Sequence, residues 1–377
     1  MNRKIDVALV GLAFGGAFAP IYRAHPGVGR LTICDCALDT LELVKRQTGD
    51  VRATPDFAEV LADPEIDAVH LVTPIPDHAR HVLAVLEAGK HCACTVPMAT
   101  SLDDVRAIVA AVRRTGLVYM LMETTLRTYQ FHHVRRMLRE GALGRIQFLR
   151  GTHYQDMANW PWYWAGLPPM WYGTHAVAPL LALAGSPVRR VSCLGSGTMD
   201  PALSRLYGNP FPIETAHLSF ATGLKAEVTR SLCETAIPYQ EGLCVYGSRA
   251  SFCWGFRDTD PQWIATLGPA QERRRGRPVE AEPIRPANDY AGLPEPLRPF
   301  TVGDAFDPLN PQESLGKGAG GAHHGSHPHL VHEFVRCVAE GRRPEADVDF
   351  AANLTAACLL AHESALRDGE PLDVPPL

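Results

Sequence analysis

Short apolar runs alternate with amphipathic stretches through the first third of this 377-residue chain. The apolar runs have the length and composition of buried strands, and they cover residues 5–10, 31–35, 68–72, 91–94 and 117–122. The stretches between them have helical spacing, at 15–24, 38–47, 77–88 and 101–115. Strands that alternate with helices in this way predict a parallel, doubly wound sheet of the α/β class.

The pattern changes after about residue 123. Strand-like stretches now follow one another with few helices between them, at 145–154, 188–195, 212–220, 225–233 and 241–254. This arrangement predicts an α+β domain with a largely antiparallel, open sheet. We therefore expect an N-terminal Rossmann domain over residues 1–122 and a second domain over residues 123–377, and it is open whether the C-terminal helices pack back on the first domain.

The composition favours a protein that acts on a small molecule. Apolar residues make up 46% of the chain and the net charge is −5 with a pI of about 6.3, so there is no overall positive field for nucleic acid or an anionic membrane. The C-x-C pairs at 34–36 and 92–94 do not match the spacing of zinc or thioredoxin-type sites. Residues 1–20 resemble a signal peptide, but Asp6 interrupts their apolar run. These features predict a cytoplasmic protein with reduced thiols.

The turn after the first predicted strand has the form of a nucleotide-binding loop. It reads GLAFGG over residues 11–16, which is G-x-A-x-x-G. The small residues let backbone amides approach a pyrophosphate and let the next helix pack on its strand. Asp35 stands about 20 residues further on, where a carboxylate accepts hydrogen bonds from the ribose of NAD and repels the 2′-phosphate of NADP. We predict NAD as the cofactor, bound by Gly11, Ala13, Phe14, Gly15, Gly16 and Asp35.

The first domain continues with TPIPDH at 73–78, AGKHC at 88–92 and then Pro97. Together with the glycine-rich turn and Asp35, this order resembles the glucose-fructose oxidoreductase, inositol dehydrogenase and rhizopine-catabolism (Gfo/Idh/MocA) family. The resemblance implies that the TPIPDH segment and the turn that ends at Pro97 flank the nicotinamide. It therefore adds Thr73, Pro74, His78, Thr95 and Pro97 to the predicted cofactor-binding residues.

The chain departs from that family at several positions. Val96 replaces the lysine that in the family assists proton removal from the sugar hydroxyl, and Thr95 replaces the glutamate before it. Ile75 stands for the asparagine of the first turn. The family's aspartate-containing helix is also absent, since Trp171 and Ala178 stand at the aspartate positions.

A different segment, MWYGTHAVAP at 170–179, takes the place of that helix. It is similar to the Y-x-T-H-x-x-x-P segment of the NAD-dependent glycosidases typified by bacterial α-N-acetylgalactosaminidases, a branch that also lacks the lysine. Further matches to this branch are the M-x-M-E run ending at Glu123, the G-x-L-G-x-I turn at 141–146 and Tyr154-Gln155-Asp156. The resemblance implies that the catalytic residues in the substrate pocket are Tyr172, His175, Glu123 and Tyr154.

Three functions are open at this point. The first is redox-neutral cleavage of a glycoside, in which NAD is recycled and stays tightly bound while a phenol or an imidazole moves the protons. The second is a net sugar or polyol dehydrogenase or reductase, and the third is an NAD-binding protein without catalysis. The absent lysine and the Tyr172–His175 segment favour the first. Structural roles are the alternatives for these residues: a buried tyrosine, a helix-capping histidine and, for Glu123, a surface carboxylate.

Aromatic residues supply the remaining substrate-binding predictions. Trp160, Trp162 and Trp164 predict a packed or sugar-stacking loop, in which we assign substrate contact to Trp162 and Trp164. The segment HHGSHPHLVH at 323–332 matches no zinc signature, so we predict no metal and take His324 as its substrate-binding member.

The remaining segments carry no predicted chemistry. The basic run ERRRGRP at 272–278 predicts a solvated loop, and Gly316-Lys317-Gly318 lacks the spacing of a phosphate-binding P-loop.

The expected partners are a sugar or glycoside and a second copy of the chain, paired through the C-terminal sheet.

Overall fold

The computed structural model describes residues 3–257, 260–288, 290, 292–301 and 322–377, so the segment Gly316-Lys317-Gly318 lies outside the described residues. Packing divides the chain into two compact units. The first unit comprises Met1–Tyr129, Asn288–Ala352 and Leu377, and the second comprises Gln130–Ala287 and Asn353–Pro376.

The described part of the first unit contains a six-stranded parallel sheet, as the alternating pattern predicted. Its strands are Ile5–Val10 (β1), Val28–Cys34 (β2), Arg52–Thr54 (β3), Ala68–Leu71 (β4), His91–Cys94 (β5) and Tyr119–Leu121 (β6). Their order across the sheet is β3-β2-β1-β4-β5-β6, which is the doubly wound arrangement. The sequence did not predict β3, because this short strand carries no apolar run.

Helices connect these strands, and four of the five lie close to the predicted positions, while the short helix Phe57–Ala62 was not predicted. They are Ala19–Ala24 (α1), Leu38–Thr48 (α2), Phe57–Ala62 (α3), His78–Glu87 (α4) and Leu102–Thr115 (α5), with a 3-10 helix at Gly15–Phe18 before α1. Ser101 caps α5 by accepting a hydrogen bond from the Asp104 amide at 3.1 Å. Gly116 ends the same helix with a φ of 68°, a left-handed conformation that favours glycine.

One hydrophobic core of the first unit lies on the face of β1 that carries Val7 and Leu9. Val7 and Leu9 of β1 are fully buried. They belong to one hydrophobic cluster with Leu330 and Phe334, which come from the helix His327–Glu340 near the other end of the chain. A C-terminal helix therefore completes the core of the nucleotide-binding unit.

The second unit contains a nine-stranded sheet within the described residues. Its strands are Ile146–Tyr154 (β7), Val188–Ser196 (β8), Ile213–Phe220 (β9), Lys225–Ser231 (β10), Gln240–Gly247 (β11), Ala250–Cys253 (β12), Gln262–Leu267 (β13), Val279–Ile284 (β14) and Leu372–Asp373 (β15). The order is β14-β13-β12-β11-β7-β10-β9-β8-β15. Neighbouring strands are antiparallel except β7 and β10, which run parallel, so the prediction of a largely antiparallel sheet is confirmed.

One prediction within this sheet needs correction. The stretch 241–254, predicted as one strand, is the hairpin of β11 and β12. The chain reverses after Gly247, where a Cβ atom would lie 2.2 Å from the Leu143 carbonyl oxygen. The proline- and glycine-rich region after residue 256 supplies two further strands, and the basic run 272–278 forms the mostly exposed loop between them, as predicted.

The remaining described helices are Tyr129–Arg139 (α6), Thr174–Ala184 (α7), Pro201–Ser204 (α8), Ala322–Gly325 (α9), His327–Glu340 (α10) and Val348–Leu366 (α11). Helix α7 packs closely on β7, because a Cβ atom at Gly151 would lie 2.2 Å from the Ala176 carbonyl oxygen. This contact brings the first turn of α7 against the sheet. Among the described helices, none combines the length and apolar character needed to cross a membrane.

Candidate active site

The glycine-rich turn follows the carboxyl end of β1, and its backbone has the conformation that dinucleotide binding requires. Gly11 has a φ of 87°, and a Cβ atom there would lie 2.4 Å from the Val72 carbonyl oxygen. Gly15 and Gly16 open the 3-10 helix that follows. Ala13 is exposed at this turn, so backbone amides rather than bulky side chains border the place for a pyrophosphate.

Asp35 lies beside this turn at the end of β2. One carboxylate oxygen accepts a hydrogen bond from the Leu12 amide at 2.6 Å, and the other accepts one from the Ala37 amide at 2.8 Å. These two bonds fix the carboxylate at the edge of the sheet, where ribose hydroxyls bind in this fold. The turn and Asp35 together fit NAD.

Phe14 places an aromatic side chain at the same turn. Its side chain is 39% exposed, and its ring contacts the rings of His323 and His327 edge-on, with centroids 6.0 and 5.7 Å away. His324 next to them has a left-handed φ of 53° and places Nδ1 3.2 Å from the Tyr129 hydroxyl. Substrate contact by His324 stays a prediction.

His78 joins the two turns that were predicted to flank the nicotinamide. Its Nδ1 lies 2.7 Å from the Pro97 carbonyl oxygen, and its Nε2 lies 2.8 Å from that of Thr73. Burial lowers the pKa of His78, while both carbonyls favour the protonated ring. The imidazole therefore holds the turns in place from inside the protein, and it presents neither nitrogen to solvent.

The turn at 95–97 shows what stands where the family has its lysine. The Thr95 amide donates to the Leu71 carbonyl at 3.0 Å, which ties the turn to the end of β4. Val96 is buried with 6% of its surface exposed, and the peptide bond from Val96 to Pro97 is cis. An isopropyl group neither donates nor accepts a proton, so this turn supplies no acid or base at position 96.

Glu123 directly follows β6 and is fully buried, so the alternative interpretation as a surface carboxylate is wrong. Its Oε1 accepts hydrogen bonds from the Thr125 amide at 3.1 Å and from the Thr125 hydroxyl at 2.9 Å. The side chain thus caps the 3-10 helix Thr124–Leu126. A catalytic role beside this capping role stays a prediction.

Tyr172 and His175 meet in the second unit, as their spacing predicted. Tyr172 ends the 3-10 helix Pro169–Tyr172, and His175 lies in the first turn of α7. The Tyr172 hydroxyl lies 3.2 Å from His175 Nε2, and the two rings are perpendicular with centroids 5.2 Å apart. A phenol in contact with an imidazole can pass a proton in either direction.

Three side chains that the sequence did not single out surround this pair. The His153 ring lies 5.0 Å from the His175 ring, and His153 Nε2 is 3.9 Å from Glu241 Oε1. The Tyr239 hydroxyl donates to the same Glu241 oxygen at 2.5 Å. His153 and Glu241 occupy directly paired positions on β7 and β11. The result is a continuous group of imidazole, carboxylate and phenol side chains.

Arg230 contacts this group of imidazole, carboxylate and phenol side chains and is fully buried. Its guanidinium donates to the carbonyls of Tyr172 and His153 at 3.0 Å each, and its carbon lies 5.5 Å from the centre of the Tyr172 ring. Burial lowers the pKa of Arg230 to about 10, although Tyr172, Tyr239 and Glu241 favour its charged form. A buried cation at this position stabilises negative charge on the neighbouring phenols and carboxylate.

A second buried pair holds the turn that carries Tyr172. Glu214 accepts a hydrogen bond from the Met170 amide at 2.7 Å, and its other oxygen lies 2.6 Å from His362 Nδ1. Both side chains are almost fully buried. This pair therefore sets the position of the turn Pro169–Tyr172 without being part of the Tyr172–His175 contact.

Tyr154 is not brought together with Tyr172 and His175. Along β7, alternate residues face opposite sides of the sheet, and His153 faces the side that carries α7. Tyr154 faces the other side, where it interacts with Arg150, Glu227 and Thr229, and burial raises its pKa. Its prediction as a catalytic residue in the same pocket is therefore not supported by the geometry.

The predicted tryptophan loop lies beside Tyr172. Trp164 is buried, and its ring contacts the Tyr172 ring edge-on with centroids 4.6 Å apart. Trp162 is 66% exposed and Trp160 is 47% exposed. The loop is thus partly packed and partly presented to solvent. Within the described ranges, no group of three or more His, Cys, Asp or Glu side chains could hold a metal ion.

Two sequence-family models match the chain. Residues 5–123 match the oxidoreductase family, NAD-binding Rossmann fold, and residues 131–253 match the GFO/IDH/MocA C-terminal domain. The chain belongs to the Gfo/Idh/MocA family. The predicted family and its NAD-binding domain are thereby confirmed.

Individual family members differ in what they do. A levoglucosan dehydrogenase of Pseudarthrobacter phenanthrenivorans is 30% identical over 168 residues, which is 42% of this chain and 43% of that protein. A glycosyl hydrolase family 109 protein of Saccharopolyspora erythraea is 22% identical, covering 99% of this chain and 83% of its own length. A solved levoglucosan dehydrogenase with NADH and levoglucosan has the same fold, with a TM-score of 0.77 at 23% identity over 100% of both chains.

Proposed function

We propose that this protein is an NAD-dependent enzyme that cleaves a glycoside without net oxidation. The reaction oxidises the sugar at C3, eliminates the C1 substituent with loss of the C2 proton, adds water and restores the C3 hydroxyl. NAD held at the Gly11–Gly16 turn and Asp35 would supply the hydride acceptor for the oxidation at C3 and the hydride donor for the final reduction. The observation that carries the proposal is the Tyr172–His175 contact, surrounded by His153 and Glu241, combined with a valine at position 96.

The protein residues have three proton transfers to perform up to the elimination, and the addition of water and the reduction reverse them. A base takes the proton of the C3 hydroxyl, a base takes the C2 proton, and an acid protonates the leaving oxygen. The family lysine would serve the first transfer, but Val96 offers no such group. The Tyr172–His175 pair is suited to take the C3 proton, and the imidazole of His153 next to Glu241 supplies a second acid and base.

Elimination is favoured once C3 is a ketone, because the neighbouring C2 proton becomes more acidic. The buried Arg230 beside the Tyr172 ring stabilises the phenolate that forms if Tyr172 gives up its proton. The similarity to a glycosyl hydrolase family 109 protein over 99% of the chain supports the same reaction class.

A net sugar dehydrogenase is the second candidate. It is favoured by the 30% identity to a levoglucosan dehydrogenase, although that match spans less than half of either chain. The two functions differ in the fate of the hydride, since a dehydrogenase releases NADH and a recycling glycosidase does not.

The deciding experiment uses a panel of aryl glycosides in deuterated water. The proposed enzyme releases the aryl alcohol, places deuterium at sugar C2 and accumulates no NADH. Direct displacement at C1 would leave C2 unlabelled. Stoichiometric NADH with an intact glycosidic bond would establish the dehydrogenase instead. Val96→Lys serves as a further comparison, because it should not raise cleavage, and a large gain would show that the site is an impaired dehydrogenase.

A further inference from the structure

A chain of aromatic rings leads from Tyr172 to the protein surface. The ring of Trp164 lies between Tyr172, at 4.6 Å, and Tyr163, at 5.7 Å. Tyr163 in turn contacts Trp162 at 5.8 Å, and Trp160 contacts Trp164 at 5.6 Å. Exposure rises along this row of rings, since Trp164 is 6% exposed while Trp160 and Trp162 are 47% and 66% exposed.

Hydrogen bonds join the backbone of this aromatic segment to neighbouring parts of the second unit. The Met157 amide donates to the Leu232 carbonyl at 2.9 Å, and Asp156 accepts from the Ala158 amide at 2.8 Å. Further along, the Tyr207 hydroxyl donates to the Tyr163 carbonyl at 2.7 Å. The exposed indoles are therefore presented by an anchored backbone, so a ligand that stacks on them has little loop ordering to offset.

Two exposed indoles that connect to Tyr172 through the rings of Trp164 and Tyr163 are suited to a flat ring with an apolar face. An indole offers a large, rigid, uncharged surface at a small cost in side-chain entropy. A pyranose presents C–H groups on one face, and an aryl group presents its π surface. Both kinds of ring, the pyranose and the aryl group, occur as the group attached to C1 of a glycoside.

We propose that Trp160 and Trp162 form a subsite for the ring attached to C1 of the reacting sugar, that is, for the aglycone. This inference rests on the proposed function, because it takes the sugar to react at the Tyr172–His175 pair. It adds that the natural substrate is a glycoside whose C1 substituent is itself a ring, rather than a free or methylated monosaccharide. Trp164 connects the subsite to Tyr172 and is a positioning residue.

The test measures binding to the NAD-loaded enzyme by calorimetry. The probes are the methyl glycoside, the p-nitrophenyl glycoside and a disaccharide that share one reacting sugar, chosen from glucose, galactose and N-acetylgalactosamine. The variants are Trp160→Ala and Trp162→Ala. Trp263→Ala is the matched control, since Trp263 is 43% exposed but lies on β13.

We expect Trp162→Ala to raise the Kd of a ring-bearing glycoside about tenfold, which is about 1.4 kcal/mol, and to leave the Kd of the methyl glycoside unchanged. If Trp162→Ala weakens binding of the disaccharide, the occupant is a sugar ring. If it weakens binding of the p-nitrophenyl glycoside alone, the occupant is an aromatic ring. Trp263→Ala should change none of these values.

The inference is overturned if the methyl glycoside loses as much affinity as the larger probes, or if the wild-type enzyme binds neither larger probe. Because the measurement is binding, it separates this inference from the reaction. If the tryptophan variants lose affinity only for the larger probes but the enzyme forms net NADH, the subsite is supported and only the proposal of glycoside cleavage is rejected.

Discussion

His153 and Tyr154 are neighbours in the chain and face opposite sides of the nine-stranded sheet. His153 lies on the side of α7, with its ring 5.0 Å from His175, and it pairs across the sheet with Glu241. Tyr154 lies on the other side and pairs with Gln240. A single step along β7 therefore separates a residue of the candidate active site from one outside it.

This relationship predicts a contrast between two conservative variants. His153→Gln removes an imidazole beside His175 and should lower turnover by roughly 100-fold, the range found for one acid or base. Tyr154→Phe removes only a hydroxyl on the other face and should stay within about twofold of the wild type. Steady-state kinetics on a cleaved aryl glycoside measures both. Equal losses in the two variants would contradict the assignment of faces.

The contact between Tyr172 and His175 gives the second prediction. Tyr172→Phe and His175→Ala should each lower turnover by roughly 100-fold or more, because each removes a proton-transfer group. Neither should change NAD affinity, which depends on the first unit. Tyr246→Phe is the control, since Tyr246 lies on the face of β11 away from Glu241. A Tyr172 or His175 variant with wild-type turnover would remove that residue from the mechanism.

Asp35 gives a prediction about cofactor choice. Its carboxylate, fixed by the amides of Leu12 and Ala37, should make NAD bind at least about tenfold more tightly than NADP, or about 1.4 kcal/mol. Asp35→Ser should narrow this gap, because it removes the charge that repels a 2′-phosphate. Asp39→Ser, an exposed carboxylate in the first turn of α2, should leave it unchanged. Equal affinities of the wild type for both cofactors, measured by calorimetry, would reject the ribose assignment.

The ion pair of Glu333 with Arg342 predicts a pH dependence of stability. Two hydrogen bonds of 2.9 and 2.8 Å join the guanidinium to the carboxylate. Burial alone would raise the pKa of Glu333, but the hydrogen bonds and charge of Arg342, together with the charge of Arg127, lower it from 4.5 to about 2.

A carboxyl group whose pKa is lower in the folded state stabilises the fold above its unfolded pKa. The contribution of Glu333 is therefore complete above about pH 4.5 and is lost as the pH falls towards 2. Glu333→Gln should lower the free energy of unfolding by about 1–2 kcal/mol at pH 7, and the difference from the wild type should shrink below pH 4.5. Urea unfolding at a series of pH values measures this, with the exposed Glu272→Gln as the control. A constant difference down to pH 3 would contradict the assignment.

Local sequence signals were sufficient for most of the first unit. Every strand of the parallel sheet except β3 carries its own apolar run, and the ends of α5 are marked by Ser101 and Gly116. Glu123 was placed correctly after the last strand, but its burial was not predicted, because nothing in the adjacent sequence shows that the Thr125 amide and hydroxyl would meet its carboxylate.

The second unit was harder to predict because its strands pair over long distances. A polar residue at a position that alternates with Leu149 and Gly151 was the available signal for His153, since these residues share one face of β7. No comparable signal identified Glu241 as its partner. Arg230 and the Glu214–His362 pair were missed for the same reason, as their contacts join segments far apart in the sequence.

The sequence by itself determined the class of the fold, the nucleotide turn with Asp35, the absence of a lysine at position 96 and the meeting of Tyr172 with His175, because each of these depends on residues close together in the chain or at the ends of adjacent strands. The tertiary structure alone decided which residues surround that pair. β7 lies between β10 and β11, and the register of these strands brings Arg230 and Glu241 opposite His153. The same register excludes Tyr154, because a shift of one residue along a strand turns a side chain to the other face.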